Sequence, residues 1–81
     1  MIFIFSDSAK RNFVMREMRY PLDMIWVNNN KVIGVSENLQ PEQAPYTVYS
    51  SPSAANMVIE VPAGYVQKNK ITINHQLEYE N

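Results

Sequence analysis

The chain has no cysteine. Disulfides, thiolate metal sites and cysteine nucleophiles are therefore excluded. A single histidine rules out a multi-histidine metal centre within one chain. Two glycines are too few for a glycine-rich phosphate loop. The longest apolar opening, Met1-Ile2-Phe3-Ile4-Phe5, is too short to span a membrane as a helix. It also lacks the basic start and small-residue cleavage site of a signal peptide. Neither charge sign dominates: seven basic and eight acidic side chains leave a net charge of −1. Strong non-specific nucleic-acid binding is disfavoured on that balance. No metal, cofactor, nucleic acid or membrane partner is expected, and the cytoplasm is the default location.

What remains is the composition of an ordinary folded chain, 46% hydrophobic and 19% charged. Eighty-one residues make one domain, residues 1–81, with no room for two. Such a chain buries only roughly 60–65% of its unfolded surface, and a partner subunit is the simplest supplement to its stability.

The patterning predicts mostly strands. Residues 1–5 read as a strand covered on both faces, followed by a polar turn at Ser6-Asp7-Ser8. Residues 12–18 alternate in part and are read as a strand that Pro21 stops. Met24-Ile25-Trp26-Val27 looks like a central strand. Asn28-Asn29-Asn30 tolerates positive φ and marks a turn, with Lys31 to Val35 as the return strand of a hairpin over 23–36. Gly34 within that strand suggests a bulge or a close approach. Ser36 to Pro45 reads as loop. Tyr46 to Tyr49 is strand-forming, and Ser50-Ser51-Pro52-Ser53 breaks it. Asn56 to Val61 reads as a strand with Met57, Ile59 and Val61 on one face. Pro62 suits a first helical position, with a short helix over Ala63 to Lys68 ending at Asn69. Ile71, Ile73, His75, Leu77 and Tyr79 alternate with polar residues and predict a final half-buried strand. The expected fold class is mainly β: a compact antiparallel barrel or rolled sheet of six or seven short strands with one short helix.

The run Phe13-Val14-Met15-Arg16-Glu17-Met18-Arg19-Tyr20-Pro21-Leu22-Asp23-Met24-Ile25-Trp26-Val27 resembles the signature of the DUF192 family. That signature has an aromatic residue, a methionine, a few polar residues, then Pro-Leu-Asp and an apolar strand. Asn29-Asn30-Lys31-Val32-Ile33 is similar to the family's hairpin turn. Pro41, Tyr46 and Tyr49-Ser50-Ser51 are similar to its proline loop and tyrosine segment. Val58-Ile59-Glu60-Val61-Pro62-Ala63-Gly64 is similar to its Leu-Glu-x-x-Ala-Gly element. Met1 to Phe5 resembles its Met-Leu-Phe-Val-Phe strand. Two departures accompany the likeness. Family members usually carry an N-terminal segment with its own strand and a Gly-Leu-Met motif, which is expected to be missing here. A Gly-Asp turn before the last strand is replaced by Asn74-His75, which removes a carboxylate. The resemblance implies a small β-barrel-like fold and no particular reaction.

Several residues are candidates for a site, each with a structural alternative. Asp23 is either a pocket carboxylate, acting as base or ligand group, or the acceptor in a turn that opens a strand. Arg16, Glu17 and Arg19 either hold an anionic ligand by a guanidinium fork or form a surface ion-pair cluster worth about 0–1 kcal/mol. Met15, Met18, Met24 and Met57 are either soft thioether ligands or core filling. Glu60 either forms a dyad with Asp23 or hydrogen-bonds Tyr65 or a backbone amide. His75 is expected to be a hydrogen-bonded, partly buried imidazole. Tyr46 and Tyr49 are interface candidates. The expected role is a binding or interaction module for a protein or small ligand, able to form a homo-oligomer. The alternative is a small enzyme with a carboxylate-centred pocket around Asp23, and a third reading is a structural remnant without a ligand.

Overall fold

The computed structural model describes residues 1–14, 19–43 and 45–77. Its elements, in chain order, are β1 (Ile2–Ala9), β2 (Asn12–Phe13), β3 (Leu22–Asn28), β4 (Lys31–Leu39), β5 (Tyr49–Ser50), β6 (Ala55–Pro62) and α1 (Tyr65–Lys68). Strands β1, β6, β3 and β4 lie in that order in one antiparallel sheet, and β2 pairs with β5 in a second. The sheet rolls but does not close, so β1 and β4 are edges. A mainly β fold of short antiparallel strands with one short helix is what the patterning predicts.

β3 runs through the middle because almost every residue in it is apolar. Leu22 to Val27 are all buried, so both faces of the strand are covered. On the first face Leu22, Met24, Trp26, Leu39 and Val58 form a core that Phe3, Phe5, Phe13 and Tyr49 complete. Phe13 meets Phe3 and Trp26 edge-on, with ring centroids 5.3 and 5.8 Å away. On the second face Ile25, Val27, Val32, Met57 and Val66 form another core, with Ile71 and Leu77 packed on it. Helix α1 and the segment after it supply that cover.

The turn between β3 and β4 follows from its asparagines. Asn29 and Asn30 both take positive φ, 51° and 64°, as a two-residue hairpin requires. Gly34 is buried opposite Trp26, and a Cβ there would sit 2.8 Å from Cγ of Pro52. Both expectations for Gly34 are met, since the ladder also slips by one residue between Trp26 and Val27.

Several expectations are corrected. β1 is an edge strand, not a strand covered on both faces: Phe3 and Phe5 turn inward while Ile2 and Ile4 stay exposed. Ser6-Asp7-Ser8 continues β1 instead of turning. Arg11 keeps that polar half extended by donating to the Ala55 carbonyl at 2.9 Å and to Asp7 Oδ1 at 2.9 Å, with its guanidinium 3.8 Å above Phe5. β4 runs on to Leu39 through the stretch read as loop, because Ser36 and Asn38 find partners inside the fold. Of the strand read over 12–18, Asn12 and Phe13 are strand, and Met15 to Met18 lie outside the described residues. Only Tyr49, of residues 46–49, is in a strand. Pro62 ends β6, and the helix starts three residues later.

The final strand is the largest departure. Residues 71–77 form turns and a single bridge, Gln76 with Lys31. Lys70 and Asn74 take positive φ, 54° and 72°, which breaks an extended run. Ile71 and Leu77 reach the second core, whereas Ile73 is 59% exposed. His75 is exposed, not partly buried, and its carbonyl accepts the Val32 amide at 2.9 Å.

Candidate functional site

Asp23 sits one residue into β3, on the second face with Ile25 and Val27. It is fully buried, with 0% exposure. Its carboxylate meets backbone only. Oδ1 accepts the Asn38 amide at 2.8 Å, and Oδ2 accepts the Gly64 and Val66 amides, each at 3.0 Å. Local sequence explains why these donors point at it. Between Ser36 and Leu39 the ladder slips, and Asn38 at φ 54° turns its N–H out of register. Gly64 at φ 94° reverses the chain after β6, which brings the amides at 64 and 66 together. Asp23 thus ties β3, β4 and the β6–α1 connection into one unit. The turn expected at the start of β3 is instead a long-range clamp.

Arg16 and Glu17 lie outside the described residues, and Arg19 is exposed. Met24 and Met57 are buried core residues. Among the described residues, no group of three or more His, Cys, Asp or Glu could hold a metal ion. No helix among them is long and apolar enough to cross a membrane.

The register separates Glu60 from Asp23. Met24 stands opposite Glu60 and Val61 opposite Asp23, so the two carboxylates point to opposite faces of the sheet. The dyad weighed from the sequence does not form. Glu60 instead borders a cleft of about 260 Å³ at the end of the sheet, with Met1, Tyr20, Leu22, Val61 and Pro62. Burial pushes its carboxyl up from the ordinary range, and the Met1 ammonium pulls it back in smaller measure. That ammonium donates to the Glu60 carbonyl at 2.8 Å.

A second cleft, about 300 Å³, lies between Trp26, Gly34, Ser36 and Pro52. Trp26 Nε1 donates to Ser36 Oγ at 3.0 Å on its wall. Tyr49 is half-buried against the first core, and Tyr46 is half-buried in the preceding loop, with Val48 exposed between them.

Sequence reasoning expects an exposed edge but does not place it at Ile2 and Ile4 of β1. Met1 and Glu60 exchange both backbone bonds, so residues 1 and 3 turn their polar groups toward β6. Ile2 and Ile4 therefore turn theirs outward, and their side chains are 52% and 62% exposed. They stand opposite Ile59 and Met57, at the uncovered margin of the second face. The signal was a run with no polar residue, in which only the Phe–Ile alternation distinguishes the faces.

The sequence profile of the DUF192 family, an uncharacterized ACR, matches residues 1–79. No curated protein matches the chain. Two crystal structures share the fold. One is of a candidate transcription regulator from Sinorhizobium meliloti 1021: TM-score 0.87, 24% identity, 96% of this chain and 60% of that one. The other is of a protein of unknown function from Novosphingobium aromaticivorans DSM 12444: TM-score 0.88, 25% identity, 98% of this chain and 56% of that one. The chain thus spans less than two thirds of either.

Proposed function

The chain belongs to the DUF192 family, and from that footing we propose that it is a small binding module that self-associates through the outer edge of β1. One observation carries the reading: Ile2 and Ile4 present both apolar side chains and outward-turned backbone groups at an edge whose one sheet neighbour among the described residues is β6. Exposed edges of this kind are templates for a further strand. A second copy fits because the edge is self-complementary. Antiparallel pairing about a two-fold axis sets Ile2 against Ile4 of the partner copy and satisfies both sets of backbone groups. A net charge of −1 opposes this little.

The enzyme reading centred on Asp23 has no observation in its favour, since both carboxylate oxygens already accept backbone amides away from solvent. The transcription role named for one structural neighbour finds no support in seven basic against eight acidic side chains.

Light scattering over a concentration series from micromolar to millimolar tests the proposal. The mass should rise from 9.4 kDa toward twice that value. Ile4→Lys should hold it at the lower value, because a charge on the edge resists pairing. A mass that stays at 9.4 kDa throughout refutes self-association. A rise that Ile4→Lys leaves unchanged refutes the β1 edge as its site.

A further inference from the structure

We propose that the Glu60 cleft binds an alkylammonium group, a primary ammonium on an apolar stem, carried by a free amine or by a lysine side chain. The proposal does not depend on self-association, because the cleft lies at the end of the sheet and Ile2 and Ile4 do not line it.

Three features define the ligand. The first is size: about 260 Å³ suits a short chain and not a folded segment. The second is the wall. Leu22, Val61 and Pro62 are apolar and would take a stem, while the Tyr20 ring, 58% exposed, stands at the mouth where a cation could lie on its face. The third is the carboxylate. Glu60 is half-buried there, and no side chain among the described residues forms an ion pair or hydrogen bond with it. Among the described residues, the one charge that acts on it is the Met1 ammonium, whose hydrogen bond goes to the Glu60 carbonyl, and the Tyr20 phenol shares the lining of the cleft. Burial outweighs the Met1 charge at this carboxyl, so its charge is under-compensated. A carboxylate in that condition gains more from a cation than one in water does, because less solvent is displaced on contact. Uncharged alcohols lack the charge, and carboxylates carry the wrong sign.

The probe is n-pentylamine, followed by amide shifts of Leu22 and Val61, with pentan-1-ol and pentanoate as comparisons. Saturable shifts at a dissociation constant on the order of a millimolar are expected, the level a ligand of about six heavy atoms reaches. Pentan-1-ol should bind about tenfold more weakly, and pentanoate weaker still. Glu60→Gln should lose about tenfold for the amine while keeping the buried emission of Trp26. The Glu60 carboxyl signal should titrate at lower pH when pentylamine is present. Ile4→Lys should bind the amine normally, which separates this site from the β1 edge. A lysine-containing peptide binding as well as pentylamine assigns the site to a protein partner; pentylamine alone assigns it to a small amine. Equal affinity for pentan-1-ol, an unmoved Glu60 titration, or amine binding that survives Glu60→Gln overturns the proposal.

Discussion

Replacing Asp23 by asparagine keeps the size of the side chain and changes one acceptor oxygen into a donor. In one orientation the amide oxygen still takes the Gly64 and Val66 amides and the NH2 group meets the Asn38 N–H. In the other, two bonds are lost instead of one. The first is less costly, and it leaves a buried donor facing another donor. An unsatisfied buried donor costs about 1–3 kcal/mol, and the two retained bonds weaken when the acceptor is uncharged. A total loss of about 2–4 kcal/mol follows. A domain of 81 residues has about 4–12 kcal/mol in all, so the loss is a large fraction. Trp26, the sole tryptophan and 1% exposed, reports unfolding through its fluorescence. With a urea slope of about 1–1.5 kcal/mol per molar, the midpoint should fall by about 2 M. Glu37→Gln, at an exposed position, should leave it in place. An Asp23→Asn change below about 0.5 kcal/mol would sink the clamp. It would also restore the reading of Asp23 as a carboxylate held for chemistry, which predicts lost function at unchanged stability.

Gly34→Ala should destabilise by about 1–3 kcal/mol, because its Cβ would lie 2.8 Å from Cγ and 3.2 Å from Cδ of Pro52. Adding Pro52→Ala should recover part of that loss in a double-mutant cycle, and additive effects would exclude the contact. Glu60 gives a pH signature. Its folded carboxyl is raised above the ordinary 4.5, so the folded chain holds the proton to higher pH than the unfolded one. That stability is full below the unfolded value and is lost as pH rises through the folded one. Glu60→Gln should therefore gain on the parent in urea midpoint as pH increases from about 4 to 7, and parallel curves would contradict the assignment. Asp7 acts in the other direction, since hydrogen bonding and the charge of Arg11 lower its carboxyl, so its contribution is lost as pH falls. It is common to both proteins and cancels in the comparison.

Legibility followed the range of the interactions. The hairpin turn was readable because Asn29 and Asn30 need only their own backbone preference. β3 was readable because a continuous apolar run has to be covered twice. The segment at 71–77 was misread because alternation describes side chains and says nothing of the positive φ at Lys70 and Asn74. Ile73 gained nothing from the core that Ile71 and Leu77 already fill on that side. Extension of β4 was hidden because Ser36 and Asn38 look like loop residues until Trp26 and Asp23 are beside them.

The same division holds for the candidate sites. The absence of cysteine and the single histidine are matters of composition, and with them goes the exclusion of disulfides, thiolate chemistry and a multi-histidine centre within one chain. Periodicity alone placed Met57, Ile59 and Val61 on one face of β6, and by parity Glu60 on the other. Only the pairing of β6 with β3 decided that Glu60 and Asp23 face apart, because register is set by which strands meet and not by either strand's own pattern. Only tertiary structure turned Asp23 from a pocket candidate into a clamp: its three donors come from positions 15, 41 and 43 residues further along the chain. A buried carboxylate needs several donors at once, and long-range folding alone brings them to a single point.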